Sequence, residues 1–281
     1  MPELPEVATA CALLNDVLAG RAISSVEVAE DGIVFDGVAP AAVAKMMEGA
    51  IVASVGRIGK FFWLHTANRG DLCMHLGMNG AIVETTPGRA HVVQYVEATY
   101  EASDPRIVKY RKISMETEEG RRVMMVDKRR FSRIWYAEEA KRSPRIAALG
   151  PDAYEALPHV SDLASALAKR KTSIKAVLLD QGFVAGIGNW IADEVLYLAG
   201  VAPARLASGL SLAEVAALHE AIHDVCKIAV AAGARSDKFP PGWMFHHRWG
   251  GAKGTEFIEG EAIVRETVAG RTTAWVPSRQ H

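Results

Sequence analysis

Apolar residues at Leu4, Val7, Cys11, Leu14 and Leu18 recur every three or four positions, which predicts an opening amphipathic helix stopped by Gly20. Short alternating segments follow at Ile23–Val28, Ile51–Val55, Lys60–His65, Asp71–Leu76, Ala81–Glu84, Val92–Tyr100, Ile113–Glu116, Arg122–Val126 and Phe131–Tyr136. Alternation of apolar and polar positions marks strands with one buried face. With glycine, asparagine and aspartate punctuating them, these segments predict an antiparallel β-sandwich or flattened barrel. Residues 40–48 interrupt the strands with a second helix.

The texture changes over residues 137–152, where Ser143-Pro144 and Gly150-Pro151 mark a linker. Helices then dominate. Ser161–Ala168 is one, and Ser173–Gln181 and Asn189–Leu198 form a pair across the glycine-bearing turn GFVAGIG. Ser211 and Glu214 make a capping box before a long helix that ends at Gly233. In the tail, Glu261–Thr267 and Thr272–Pro277 alternate around Ala269-Gly270 and read as a β-hairpin. The expected architecture is α+β in four parts: a β-sandwich domain with flanking helices (1–136), a linker (137–152), a helical domain (153–240) and a hairpin finger (241–281).

Of the 281 residues, 49% are hydrophobic and 23% charged, as expected of a globular protein of one to three domains. No apolar run reaches the roughly 18 residues that span a bilayer, and the first twenty residues lack the pattern of a signal peptide. The expectation is a protein that is not secreted, cytoplasmic and nucleoid-associated in a bacterium or nuclear in a eukaryote. Cys11, Cys73 and Cys226 lie far apart in apolar stretches with no CxxC pair, which fits buried thiols and leaves no zinc ribbon or disulfide framework. The net charge of −1 carries no nucleic-acid signature by itself. Local clusters are more informative: Lys109–Lys112, Lys128–Arg133, Lys141–Arg145 and Lys169–Lys171 are basic runs of the kind that usually form solvated faces, while Tyr110, Phe131 and Trp135 among or beside them also suit a DNA-facing surface.

The chain begins MPELPEV. Removal of Met1 ahead of the small Pro2 leaves a secondary amine. A free α-amino group has a pKa of about 7.7–8.0, against about 10.4 for lysine, so part of it is already a nucleophile at neutral pH. Glu3 and Glu6 are spaced to share one helix face beside that amine, where a carboxyl group can carry protons during bond cleavage. The same residues also suit the ordinary start of a helix.

The heptad does not stand alone. GRIGKFFW (56–63), HLGMNG (75–80), DKRRF (127–131), IKAVLLDQGFVAGIGNWIADEVLY (174–197) and GRTTAWV (270–276) follow it in order. Together these motifs resemble the formamidopyrimidine-DNA glycosylase and endonuclease VIII family, and most closely its plant and fungal zincless branch. The resemblance implies a bifunctional DNA glycosylase/AP lyase of base excision repair acting on damaged double-stranded DNA as a monomer, with no cofactor and no membrane partner. Pro2 would attack the sugar C1′ to form a Schiff base, Glu3 would act as the acid, Glu6 would assist, and Lys60 would hold the phosphate beside the lesion. Met78, Arg129 and Phe131 match the residues that fill the hole left by a flipped base. The paired helices resemble a helix–two-turn–helix motif in which Asn189 meets phosphate, Lys175 faces the DNA, and Arg271 at the finger's tip contacts the lesion phosphate. GIGNWI is not a dinucleotide fingerprint, because Ile191 stands where a third glycine belongs.

Many family members bind zinc through four cysteines in the finger, where this chain has Glu256, Glu259, Val276 and Arg279. A zincless hairpin is therefore expected, packed by residues such as Ile263, Val264 and Trp275. The segment Ala234–Thr255 looks shorter than in the bacterial enzymes, which disfavours 8-oxoguanine as a substrate relative to formamidopyrimidines and hydantoins. Residues 84–108 look like an insertion. Two other readings remain open: a non-catalytic damaged-DNA-binding protein on the same fold, and a metal-dependent hydrolase built on His219, Glu220 and His223, which spell HExxH.

Overall fold

The computed structural model describes residues 2–86, 91–92, 105–250 and 256–281. The chain forms two compact units, one of Met1–Ala148 with Gly233–Ser236 and the other of Leu149–Ala232 with Asp237–His281.

In the first unit, helix α1 (Leu4–Leu18) buries Leu4, Val7, Leu14 and Leu18 as their spacing requires, while Cys11 is only partly covered. The remaining elements are β1 (Ile23–Val28), α2 (Pro40–Met47), β2 (Val52–Ile58), β3 (Phe61–Thr66), β4 (Gly70–His75), β5 (Ala81–Glu84), β6 (His91–Val92), α3 (Pro105–Lys109), β7 (Arg111–Thr117), β8 (Arg122–Val126), β9 (Arg133–Ala137) and α4 (Pro144–Ala147). The strands form two antiparallel sheets, ordered β1-β7-β8-β5-β6 and β2-β3-β4-β9. Register explains the shared core. Phe62 pairs with Met74 and Met74 with Ile134, so all three point to one face and are buried with Ile82, Ile113 and Met125 of the other sheet. The expected strand Val92–Tyr100 falls, after Val92, outside the described residues, and so does most of the 84–108 insertion, whose end forms α3. Helix α3 and helix α4 carry no periodic pattern long enough to predict them.

The second unit contains α5 (Val160–Leu167), α6 (Ile174–Leu179), α7 (Asn189–Ala199), α8 (Leu212–Ala231) and short strands β10 (Phe257–Ile258), β11 (Glu261–Ala262), β12 (Val264–Val268) and β13 (Arg271–Trp275). Helix α8 starts as its sequence predicts: Ser211 Oγ accepts from Glu214 N, and Glu214 Oε2 accepts from Ser211 N at 2.7 Å. The turn between α6 and α7 is braced by Gln181, whose amide donates to Leu179 O and Ile187 O and accepts from Gly186 N. Strands β12 and β13 join through Ala269 (φ 53°) and Gly270 (φ 70°), two consecutive left-handed residues that give a tight hairpin turn. No helix among the described residues is long and apolar enough to cross a membrane.

Candidate active site and nucleic-acid interface

The first turn of α1 concentrates polar groups where a helix normally buries apolar ones. Pro2 is buried, and Glu3 and Glu6 are 2% and 1% exposed. Glu6 Oε2 accepts the Glu3 N–H at 3.0 Å, satisfying an otherwise orphaned amide at the helix start. Burial, and next the neighbouring Glu3 charge, push the Glu6 carboxyl up to about 7. Near neutrality Glu6 therefore exists in both protonation states, as a proton carrier requires.

Lys60 sits in the turn between β2 and β3 and is largely buried. Gly59 takes a left-handed φ of 57°, and Gly56 leaves room for Trp63, whose ring would lie 2.3 Å from any added Cβ. Those two requirements account for the glycines of GRIGK. His75, which sequence reasoning overlooked, lies at the end of β4. Its Nδ1 accepts from Gly77 N at 3.0 Å, which leaves Nε2 carrying the proton. Burial, then the charge of Lys60, holds this imidazole down to about 4, so it is neutral at physiological pH.

Met78, Arg129 and Phe131 occupy two loops of the first unit that meet. Arg129 Nη1 donates to Asn79 Oδ1 at 3.1 Å, its guanidinium lies 4.9 Å from the Phe131 ring centroid, and Phe131 is 43% exposed. A large aromatic left in solvent beside an arginine is not core packing.

In the second unit Asn189 begins α7 and donates to Thr272 O at 2.9 Å, beside the exposed Arg271 at the start of β13. Asn189 Oδ1 is buried without a partner. Lys175 corrects the expectation that it faces the DNA. Its side chain is 0% exposed, and its ammonium donates to Asp193 Oδ1 at 2.5 Å and Thr273 Oγ1 at 2.6 Å. The reason is electrostatic: a fully desolvated ammonium persists only against a carboxylate. Asp193 also accepts from Arg248 Nη2 at 2.8 Å, so one buried carboxylate ties α6, α7, β13 and the turn carrying Arg248 together. Next to it, Glu194 accepts from Met244 N and Phe245 N, and burial pushes its carboxyl up to about 8. The sequence signal for this cluster was two adjacent acids inside an otherwise apolar helix. Trp190 stacks on Phe239, meets Phe245 edge-on, and Phe239 packs tilted against Trp243.

Two domain models decide the family: the formamidopyrimidine-DNA glycosylase N-terminal domain matches residues 1–134, and the H2TH domain of the same glycosylase matches residues 149–240. The chain belongs to the formamidopyrimidine-DNA glycosylase family. The formamidopyrimidine-DNA glycosylase of Arabidopsis thaliana is 39% identical over 280 residues, covering 100% of this chain and 71% of that one. That of Paracoccus denitrificans is 34% identical over 239 residues, covering 84% and 80%. Solved structures of the Lactococcus lactis formamidopyrimidine-DNA glycosylase, one with abasic-site DNA and one with DNA containing N7-benzyl-Fapy-dG, superpose with a TM-score of 0.80 at 26% identity over the full length of both chains.

At Glu256, Glu259, Val276 and Arg279 the two carboxylates are both ion-paired. Glu256 takes Arg265, and Glu259 takes Arg279 at 3.1 Å. Val276 is fully buried with Ile258, Ile263, Met244, Ala274 and Tyr197. Two paired carboxylates, a cation and an aliphatic chain do not suit zinc. Of the packing residues expected from sequence, Ile263 is buried, whereas Val264 is 40% exposed. The HExxH residues do not build a metal site either: His223 faces solvent against Asp224, and among the described residues no group of three His, Cys, Asp or Glu is placed to hold an ion.

Proposed function

We propose that the protein is a bifunctional DNA glycosylase and abasic-site lyase of base excision repair, working through the Pro2 amine. The observation that carries this reading is the buried carboxyl pair Glu3 and Glu6 at the amino end of α1, within the residues that match the formamidopyrimidine-DNA glycosylase N-terminal domain. The Pro2 nitrogen attacks C1′ of the damaged nucleotide. Glu3 gives a proton as the sugar ring opens, the base departs with its bonding pair, and an iminium joins protein and sugar. Loss of a C2′ proton breaks the 3′ C–O bond, and a second elimination breaks the 5′ C–O bond, leaving phosphate at both ends of a one-nucleotide gap. Glu6, poised near neutrality, assists the proton transfers.

Lys60, Asn189 and Arg271 hold backbone phosphates. Met78, Arg129 and Phe131 occupy the space of the extruded base, and Arg129 bonds its orphaned partner. Phosphate contacts give the search for damage its salt dependence. Residues 1–136 carry the chemistry, 153–240 grip DNA and 241–281 form a zincless finger, with 137–152 as linker. Formamidopyrimidines and hydantoins are the preferred oxidised bases, with 8-oxoguanine a poorer one. The protein works where DNA is kept, in a bacterial nucleoid or a eukaryotic nucleus.

Borohydride trapping on duplexes carrying single oxidised bases tests the reading. A covalent protein–DNA adduct through Pro2 is expected, and it disappears when Met1 is retained. Strand cleavage by the Met1-retaining form would overturn Pro2 as nucleophile. Tight lesion binding by the authentic protein without any adduct would establish the non-catalytic alternative.

A further inference from the structure

The loop between β8 and β9 is built around two aspartates. Asp127 is fully buried and accepts from Arg129 N at 2.8 Å and Ser132 N at 2.7 Å, pinning the loop at both ends. Between those anchors Arg130 adopts φ 59°, a left-handed conformation that a side chain with a Cβ rarely takes. Its guanidinium is turned onto Asp31, with Nε at 3.0 and 3.1 Å from the two carboxylate oxygens and Nη2 at 2.9 Å. Asp31 is itself 5% exposed and held by Lys112 Nζ at 2.9 Å and by the backbone N–H groups of Ile33 and Val34. On the loop's other side, an added Cβ on Gly77 would lie 2.4 Å from the Phe131 carbonyl, so the HLGMNG loop rests directly on this backbone.

We infer that Asp31 is a positioning residue for lesion recognition: by gripping Arg130 it holds the left-handed kink that presents Arg129 and Phe131 together. A residue kept in a sparsely populated backbone region stays there only when its surroundings overdetermine it. The bidentate fork onto a carboxylate fixed by Lys112 supplies that determination. Arg130 thus serves as an anchor, and its two neighbours present exposed side chains at the surface. The inference rests on the reading of Arg129 and Phe131 as void-filling residues.

Fluorescence anisotropy on the full-length protein measures the preference for a duplex carrying a tetrahydrofuran abasic analogue over the same undamaged duplex. D31N and R130A are each expected to lower that preference about tenfold, the scale of one displaced strained residue. R130G is expected to exceed R130A several-fold, because both lack the guanidinium and only glycine accepts the kink freely. D31N/R130G should likewise regain preference lost in D31N, a rescue that a merely structural role for Asp31 would not allow. Equal preference in R130G and R130A, or an unaffected D31N, overturns the inference. If D31N fails to fold, the half-exposed Arg130 pair still decides. F131A separates the premises: an unaffected F131A removes the void-filling reading, whereas a weakened F131A beside a normal D31N removes only the role of Asp31.

Discussion

Glu6 shows how a single environment changes what a residue can do. A carboxyl group whose midpoint has moved to about 7 is half protonated where an exposed glutamate is fully ionised. In E6Q the amide oxygen still accepts the Glu3 N–H, so the helix start survives, while the titrating group is gone. The rate of adduct trapping between pH 6 and 8 should then lose an inflection that the native protein shows, and an inflection that persists in E6Q removes Glu6 from proton handling. The pairing of Glu3 with Glu6 on one turn was legible from their spacing. Their burial was not, since acids at a helix start are usually solvated and only tertiary packing covers them. His75 was invisible for a related reason: the Lys60 charge that acts on it arrives from the β2–β3 turn, fifteen positions earlier.

At the scale of elements, alternation and capping located most strands and the long helices, because those signals are local. Ser211 with Glu214 marked the start of α8 correctly, and Ala269-Gly270 marked the hairpin turn. Lys175 was misread because its environment is not local. A lysine in IKAVLL looks like a solvent-facing residue, yet its partners stand on α7 and β13. The hairpin thus takes its hold on α6 through Lys175 and on α7 through Asn189 and Asp193, acting on three consecutive residues, Thr272, Thr273 and Ala274. Removing one member of a buried pair costs roughly 3–5 kcal/mol, and an exposed pair contributes about 1 kcal/mol or less. Urea unfolding should therefore show a large loss in D193N and a small one in E259Q. Comparable losses would mean that the buried carboxylate does not organise this unit.

For the molecule as a whole, shifted carboxyls set the response to pH. Glu6 and Glu194 are raised from 4.5 to about 7 and about 8, so the folded state binds their protons more tightly than the unfolded chain does. Their contribution is complete below pH 4.5 and is lost as pH rises through 7 and 8. His75, lowered from 6.5 to about 4, acts oppositely, and its stabilisation is lost only as pH falls below 6.5. Between pH 6.5 and 8 the two glutamates therefore dominate among the shifted groups, and Tm should decline across that window. In E194Q the decline should be shallower when followed by calorimetry, and an identical slope would remove Glu194 as its source. Chelation with EDTA should change neither Tm nor strand cleavage, and a loss reversed by added zinc would contradict the ion-paired finger.

That finger has a chemical consequence. Oxidants damage bases, and they also attack thiolates, carrying them toward sulfenic and sulfinic acids. A four-thiolate finger would be exposed to the agents that create the work it assists. Here the corresponding positions are Glu256, Glu259, Val276 and Arg279, and the nearest cysteine in sequence is Cys226. Carboxylates, a guanidinium and an aliphatic side chain offer peroxide no thiolate at these four positions, so oxidation there has no sulfur to attack.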